Sequence, residues 1–320
     1  MFENLSVIVK ERRKYLGMTQ SQLAEGICSR ETISRLESGA RRPDASILNG
    51  IMHKLGVAQD PGIKSFMSQD ELFRNDRIIE LNQLAAYQNK DGILEFIDKW
   101  SKHASFRKGQ KGYPIIKQAQ MLIHVMDTNE NPESIDKALD IIYEILEIQR
   151  PGFRLENLTS YFLSQTEIAM IQNIAIYTGL YKKDWDEAIR IQKLLIESIE
   201  TKYEKVTGFG KWYYRNMQKD LCLMCIESER YSEALELAEK CIGFFYDGYL
   251  AQFSPTYPFY SGMKAKAIAL LKTGNKDEGT KQYRKFLMLA YALDGWLGTS
   301  FESEMEECRK HLGEELTLGI

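Results

Sequence analysis

Short amphipathic runs with polar boundaries make up the first 57 residues of the chain. Thr19 followed by Gln22 forms a capping box, and Met18 and Leu23 have the spacing of a hydrophobic staple, so a helix is predicted to begin at Thr19. The apolar positions of this segment predict one small shared core, formed by Val9, Leu16, Leu23, Ile27, Ile33, Leu36, Ile47, Leu48, Ile51 and Leu55.

A second helix is predicted directly after the first, across a short turn. Gly26 ends the helix that begins at Thr19, and Ser29 offers the next N-cap. Gly39 offers the residue that follows a helix end, so the second helix is predicted over about residues 30–38. One further helix is predicted on either side of this pair.

From about residue 70 onward the amphipathic runs become longer, and a helix-turn-helix passage recurs. Its copies align on a small residue that follows a polar turn, with spacings of 50, 46 and 45 residues, at Ala138, Ala188, Ala234 and Gly279. A small residue at this place lets the second helix of a pair approach the first closely. Few alternating patterns typical of strands occur, so the predicted fold class is all-α: a helix-turn-helix domain followed by an α-solenoid.

A cluster of turn-forming residues, 59–62, separates the two patterns. We therefore predict two domains, a head at residues 1–66, which includes this linker, and a body at residues 67–320. Within the body, residues 244–260 are rich in aromatic side chains. This stretch either packs on the body, which is the favoured interpretation, or forms part of a pocket wall.

Composition and charge are those of an ordinary globular protein, with 44% hydrophobic residues, 27% charged residues and a net charge of −3. The first 60 residues carry nine Lys and Arg against seven Asp and Glu, which leaves 33 against 38 for the rest. Any contact with nucleic-acid phosphates must therefore come from a few placed side chains. The five scattered Cys and the lack of a long apolar run predict a cytoplasmic protein.

Sequence motifs for catalysis, metals and cofactors are scarce. Cys222 and Cys225 have the spacing of a redox pair but lie on a predicted apolar helix face, so buried packing is favoured over redox or metal chemistry. The four His lack metalloprotease spacing, and the chain has neither a phosphate-binding Gly-Lys-Ser/Thr loop nor a Gly-x-Ser-x-Gly elbow. We expect no cofactor and no metal, and an enzyme is the least favoured function class.

The predicted helix over residues 30–38 has a polar side opposite its apolar side. Ile33 and Leu36 share the apolar side, because they are three residues apart. The other side and its flanks carry polar side chains, from Arg30, Glu31, Thr32, Ser34, Arg35 and Ser38. Arg can pair with O6 and N7 of guanine, while hydroxyl groups can meet phosphates or base edges. This polar edge is therefore a candidate DNA-reading surface.

Two passages of the head resemble the helix-turn-helix of the Cro/C1-type (XRE) repressors, namely Thr19-Gln-Ser-Gln-Leu-Ala24 and Ile33-Ser-Arg-Leu-Glu-Ser-Gly39. The resemblance covers about residues 5–57 and implies a lambda repressor-like fold. It also implies that Gln20 contacts a phosphate and that Arg13 and Glu37 form a structural pair. Arg41 either reaches the DNA backbone or stays solvated. The candidate DNA-contacting residues are thus Gln20, Ser29, Arg30, Glu31, Thr32, Ser34, Arg35 and Arg41.

A Cro-type head followed by a body of tetratricopeptide-like (TPR-like) repeats resembles the peptide-pheromone receptors of Gram-positive bacteria. This RRNPP group contains the Rgg, PlcR and PrgX regulators, which act in quorum sensing. The resemblance implies that the body dimerises, binds a short imported peptide on its concave side and thereby alters the DNA-binding geometry.

Two predicted helices of the body carry polar stripes opposite their packing sides. Around residues 165–179 the packing side holds Ile168, Ile171 and Ala175, and around residues 212–226 it holds Leu221, Met224 and Cys225. Asn offers a donor and an acceptor to a peptide unit, and Lys can receive a carboxylate. The candidate peptide-binding residues are Thr166, Asn173, Tyr177, Trp212, Asn216 and Lys219, with Tyr260 and Lys264 as further candidates. For each of them an ordinary solvated face is the alternative.

The sequence therefore predicts a cytoplasmic, homodimeric transcription regulator that binds a double-stranded DNA operator and responds to a short signalling peptide. Two alternatives stay open: a body that docks a protein partner in place of a peptide, and a body that is mainly a protein-interaction scaffold.

Overall fold

The computed structural model describes residues 2–41, 43–55, 69–129, 131–161, 163, 165–203, 209–244, 256–294 and 300–312. Every regular element within these ranges is a helix. The head contains four of them: α1 (Phe2–Tyr15), α2 (Gln20–Ala24), α3 (Arg30–Glu37) and α4 (Ala45–Lys54).

Local capping sets the boundaries of α2 and α3. Thr19 Oγ1 accepts the Gln22 N–H at 3.1 Å while Gln22 Oε1 accepts the Thr19 N–H at 2.8 Å, so the predicted capping box is present. Ser29 Oγ accepts the Thr32 N–H at 3.2 Å and caps α3. All ten predicted core positions pack in one cluster, seven of them buried and three half-buried, and Leu5, Ala24 and Met52 join them.

A glycine in the left-handed region of φ ends α3. Gly39 has φ +73°, the Gly39 N–H donates to Leu36 O at 3.0 Å, and the Ala40 N–H donates to Arg35 O at 2.9 Å. This pair of bonds is a Schellman motif, in which a side chain with a Cβ is strained at the glycine position. The turn that follows the polar helix is therefore defined by its sequence.

The body continues as a series of helices joined mostly by short turns. They are α5 (Gln69–Ala86), α6 (Lys90–Ser101), α7 (Tyr113–Asp127), α8 (Ser134–Gln149), α9 (Gln165–Lys182), α10 (Trp185–Tyr203), α11 (Phe209–Glu227), α12 (Tyr231–Gly243), α13 (Thr256–Lys272), α14 (Lys276–Ala292) and α15 (Phe301–Leu312). From α5 to α9, and again from α12 to α15, each helix packs on the next. The prediction of an all-α chain with a helix-turn-helix head and TPR-like helix pairs is confirmed.

Three turns of the body place a residue in the left-handed region five positions before the residue where the repeat copies align: Lys183 (φ +58°), Glu229 (φ +60°) and Gly274 (φ +89°). The turn before α6 has the same conformation at Gln88 (φ +51°). Three of these four turns close as Schellman motifs; after Glu229, for example, the Arg230 N–H donates to Cys225 O at 2.8 Å. The copy that contains Ala138 differs, because Glu133 at the matching place has φ −69°.

The aligned small residues lie at close helix contacts, as predicted. Ala138, Ala188 and Ala234 are completely buried. At Gly279 a Cβ would lie 2.8 Å from Leu271 Cγ and 2.9 Å from the Leu271 backbone nitrogen. The last copy of the repeat therefore has room only for glycine at this position.

The contacts within the chain divide it into two compact units. The first comprises Met1–Lys183 and Glu197–Phe209, and the second comprises Asp184–Ile196 and Gly210–Ile320. The predicted linker, the domain boundary after residue 66 and most of the aromatic stretch at 244–260 lie outside the described residues. In the described part of the chain, no helix combines the length and the apolar character needed to cross a membrane.

Candidate functional site

Helix α3 turns its polar side to solvent, as its sequence predicts. Ile33 and Leu36 are buried in the head core, whereas Ser34 and Arg35 are exposed. Six of the eight candidate DNA-contacting residues lie on α3 or at its N-cap: Ser29, Arg30, Glu31, Thr32, Ser34 and Arg35. Thr32 is half-buried and the other five are exposed. Arg41 follows the end of α3 and is also exposed. The structure thus brings most of the predicted site together on one accessible edge.

The hydroxyl groups of Ser29 and Thr32 lie 3.0 Å apart and share a hydrogen bond at the start of α3. Because one hydroxyl donates to the other, the pair keeps one hydroxyl proton and several acceptor lone pairs for an outside partner. The N-cap contact and a contact to a phosphate or base edge are therefore compatible at this position.

Arg35 forms an ion pair with Glu31, one helical turn earlier, with 3.1 Å between Nη2 and Oε1. The two side chains are 52% and 75% exposed. An exposed pair at this spacing stabilises a helix by only about 0.3–0.5 kcal/mol. A bidentate pair between Arg and guanine discriminates by about 1–3 kcal/mol, so the Glu31 contact does not prevent Arg35 from reaching a base.

A buried carboxylate ties α1, α2 and α3 together. Glu37 accepts hydrogen bonds from Arg13 Nε at 2.5 Å and from Arg13 Nη2 at 2.9 Å, which confirms the predicted structural pair. Arg13 Nη1 also donates to Met18 O at 2.6 Å. Gln20 Nε2 donates to Glu37 Oε2 at 3.0 Å, so a phosphate contact by Gln20 has to use its second amide proton or its backbone N–H.

Two opposing effects set the pKa of Glu37. Burial opposes ionisation, but the hydrogen bonds from Arg13 and Gln20 outweigh it and hold the pKa below the ordinary value of 4.5. A carboxylate whose pKa is lower in the folded state stabilises the fold above its unfolded pKa, and this contribution is lost as pH falls through the folded pKa.

We therefore expect the stability of the head to hold near neutral pH and to fall as pH drops below about 4.5. Hydrogen exchange of backbone amides in the intact chain, corrected for intrinsic rates, measures this on peptides from residues 2–55. The Glu37→Gln variant is the control, because it lacks the titrating group. An equally steep loss of stability in that variant would assign the pH dependence to other groups.

The packing side of α9 is as predicted, since Ile168, Ile171 and Ala175 are buried. Of the candidate ligand-binding residues on this helix, Thr166 is exposed and Asn173 and Tyr177 are half-buried. The Tyr177 ring centroid lies 6.0 Å from that of Tyr181. Burial is the larger cause, and the neighbouring Tyr181 the smaller one, that raises the pKa of Tyr177 to about 12. Its phenol therefore stays protonated at neutral pH and is able to donate.

Helix α11 belongs to the second unit and also buries its predicted packing side, formed by Leu221, Met224 and Cys225. Asn216 is half-buried. Lys219 Nζ lies 2.7 Å from Asp220 Oδ1, and both side chains are only 12% exposed, so a ligand carboxylate at Lys219 would compete with Asp220. The Trp212 side chain lies outside the described residues.

Tyr260 and Lys264 on α13 have partners within their own unit. Tyr260 is buried, with its ring centroid 4.8 Å from that of Phe286. Lys264 Nζ lies 2.9 Å from Glu304 Oε2 and 2.6 Å from Glu307 Oε2, both on α15. Tyr260 thus has a packing role and Lys264 an ion-pairing role within the unit. That these two residues bind a ligand stays a prediction.

The two neighbouring thiols on α11 are buried, as the favoured interpretation of packing predicts. Cys222 and Cys225 are buried, and Cys222 Sγ donates to Ala234 O at 3.4 Å. Burial raises the pKa of both thiols, to about 12 for Cys225. Among the described residues, no group of three or more His, Cys, Asp and Glu side chains is placed to hold a metal ion.

Several contacts of the head were not predicted from the sequence, and two of them matter for the position of α3. Gln20 bonds Glu37, 17 positions away, and Arg150 of the body donates from Nη2 to Gly26 O at 3.1 Å, 124 positions away. Neither separation matches a helical period, so no pattern along the chain indicates these contacts.

Comparison with known proteins supports the helix-turn-helix of the head and the fold of the chain. Residues 9–58 match the family model of the helix-turn-helix. The fold is similar to that of Bacillus thuringiensis PlcR, solved in complex with the peptide PapR7 and DNA, at 18% identity over 98% of this chain and 100% of that chain, with a TM-score of 0.52.

A Cys-to-Ser variant of the Streptococcus dysgalactiae SHP pheromone receptor Rgg2 is also similar. Its identity is 16% over 96% of this chain and 98% of that chain, with a TM-score of 0.50. No curated protein sequence matches the chain. At these identities the two solved structures show a shared fold that extends along almost the whole chain.

Proposed function

We propose that this protein is a sequence-specific DNA-binding transcription regulator whose activity is controlled by a short signalling peptide. The helix-turn-helix match at residues 9–58 and the similarity of the fold to that of PlcR support this proposal. The observation that carries the proposal is the exposed polar edge of α3, a capped helix held on a head whose predicted core positions pack in one cluster. The recognition helix of a helix-turn-helix presents such an edge to the major groove.

Each side chain of the edge has a role that its chemistry permits. Arg35 pairs with guanine after leaving Glu31, and Ser34 contacts a base edge or a phosphate. Arg30 and Arg41 neutralise phosphates, and Gln20 adds a phosphate contact at the start of α2. Because one small head makes few contacts with DNA, two heads of a homodimer bind together. They occupy half-sites about 34 Å apart, one turn of the DNA helix, or a multiple of that distance.

We expect Arg35→Ala to weaken binding to the cognate operator by about 5- to 150-fold, the equivalent of roughly 1–3 kcal/mol for a bidentate guanine contact. Gel-shift titration at fixed salt measures this loss, with an operator selected from random duplexes by the wild-type chain. Arg309→Ala removes the same charge from an exposed site on α15 and serves as the control.

The loss should be much smaller on a scrambled duplex, because the guanine contact is specific to sequence. An equal loss on both duplexes would show that Arg35 contacts a phosphate. Unchanged affinity would remove Arg35 from the interface.

The fold supports a peptide as the ligand of the body. PlcR was solved with a peptide and DNA, and Rgg2 is described as a pheromone receptor. In this chain Thr166, Asn173 and Tyr177 form one stripe on α9, with a hydroxyl, an amide and a phenol that can bond an extended backbone. The protein acts in the cytoplasm. There the peptide binds one arrangement of the dimer better than another and so shifts the population towards that arrangement.

Calorimetry with synthetic peptides encoded by small reading frames beside the gene tests this ligand. Saturable binding that the triple variant Thr166→Ala/Asn173→Ala/Tyr177→Phe weakens is the expected result. The alternative is a body that docks a folded protein, and it would be favoured if no peptide bound while a folded partner altered the operator affinity.

A further inference from the structure

We propose that Arg150 is a positioning residue that ties the turn of the helix-turn-helix to the α8–α9 helix pair. Arg150 follows the last residue of α8, and its guanidinium makes contacts in two directions. Nε donates to Glu167 Oε1 on α9 at 2.8 Å, and Nη2 donates to Gly26 O at 3.1 Å. One planar group thus bridges a helix of the body and a backbone carbonyl of the head, within the first compact unit.

The body side of this bridge is well fixed. The side chains of Arg150 and Glu167 are 15% and 5% exposed, and the guanidinium carbon lies 4.7 Å from the Tyr161 ring centroid. Tyr161 in turn packs against Phe153, with 5.8 Å between ring centroids. A guanidinium held by a carboxylate and an aromatic face loses little further entropy when it donates another bond.

The head side of the bridge lies at a sensitive place. Gly26 has φ +74° and stands in the turn between α2 and α3, three positions before the N-cap Ser29. A bond to this carbonyl therefore constrains where α3 begins. The polar edge of α3 remains exposed while the bond is made, so the contact orients the head without covering its DNA-reading side chains.

A second contact joins the same two parts but is weaker. Asp44 of the head and Lys111 of the body form an ion pair whose side chains are 44% and 61% exposed. An exposed ion pair contributes little, because water screens it, whereas a hydrogen bond from a charged and largely buried donor contributes more. The Arg150 bond is therefore expected to dominate the orientation of the head.

The position of Glu167 gives the bridge a consequence for regulation. Glu167 directly follows Thr166, a candidate ligand contact, so a ligand that shifts the start of α9 also shifts the partner that orients Arg150. By linkage, a DNA site that favours one head orientation would change ligand affinity by the same factor. This consequence rests on the proposed function, whereas the bridge itself does not.

Distances between spin labels in the full-length chain test the bridge without DNA or peptide. Labels are attached through Lys14→Cys in the head and Lys108→Cys in the body, both exposed, in a chain whose half-buried Cys28 is changed to Ser. We expect one narrow distance distribution for this chain. Arg150→Ala should raise the ratio of displaced to docked heads about tenfold, the effect of losing one charge-assisted hydrogen bond.

Arg154→Ala is the matched control, because Arg154 is exposed and donates only locally among the contacts seen, to Phe153 O at 2.8 Å. It should leave the distribution unchanged, and so should Lys111→Ala. Glu167→Gln should displace the head partly, since the amide orients Arg150 without a charge. A distribution that Arg150→Ala leaves narrow would overturn the proposal, as would an equal change in Arg154→Ala, whatever the outcome of the operator and peptide experiments.

Discussion

Replacing Glu37 with alanine is expected to destabilise the head by about 3–5 kcal/mol, because the change leaves a buried Arg13 without its counter-charge. The two side chains are 3% and 11% exposed, so water compensates for little of the loss. Gln20 also loses its acceptor. Hydrogen exchange of peptides from residues 2–55 in the intact chain measures the effect separately from the stability of the body.

Glu31→Ala is the matched control. Like Glu37, Glu31 is a carboxylate of α3 that is paired with an Arg. Its pair with Arg35 is exposed, so the expected cost is at most about 0.5 kcal/mol. Replacing both members of the buried pair, as Arg13→Met/Glu37→Leu, should recover part of the stability, because no unpaired charge remains. Equal losses in Glu37→Ala and Glu31→Ala would contradict the importance given to burial here.

Gly279→Ala is expected to destabilise the second unit by roughly 1–3 kcal/mol, although alanine normally favours a helix. The added Cβ would lie 2.8 Å from the Leu271 side chain and 2.9 Å from its backbone nitrogen. The side chain can rotate away, but the backbone nitrogen moves only if α13 shifts. Urea unfolding combined with hydrogen exchange of peptides from α13 and α14 measures the change.

Gly243→Ala provides the control with the opposite sign. Gly243 is the last residue of α12, and a Cβ added there would meet no atom of another helix within 4 Å. Here the change should be neutral or should stabilise the chain by up to about 1 kcal/mol. A stabilising effect at Gly279 would show that α13 and α14 are free to separate.

The architecture of the head could be predicted because its signals are local. Capping at Thr19 and Ser29 joins residues three positions apart, and the core positions of α3 follow from the helical period. The pair of Arg13 with Glu37 came from the family resemblance, since nothing in their spacing indicates it. The link between Arg150 and Gly26 could not be predicted, because only the packing of the body brings the end of α8 to the head.

The candidate ligand-binding stripes were less predictable for a different reason. A helix inside a stack has neighbours on more than one side, so its buried surface is wider than the single stripe of a surface helix. Glu167 and Thr178 on α9 are buried although they are polar, and Asn173 is half-buried. What a polar side chain faces in such an array depends on the next helix pair, which no single amphipathic pattern contains.

The shared hydrogen bond at the start of α3 limits how this protein can evolve a new target sequence. Ser29 both caps the helix and presents a hydroxyl beside Thr32, so an exchange that changed the DNA preference there would also have to preserve the cap. Ser34 and Arg35 do not cap α3, and the exposed pair of Arg35 with Glu31 contributes at most about 0.5 kcal/mol to the helix. Divergence among descendants of this gene should therefore concentrate at those two positions, while position 29 drifts only among Ser, Thr, Asp and Asn.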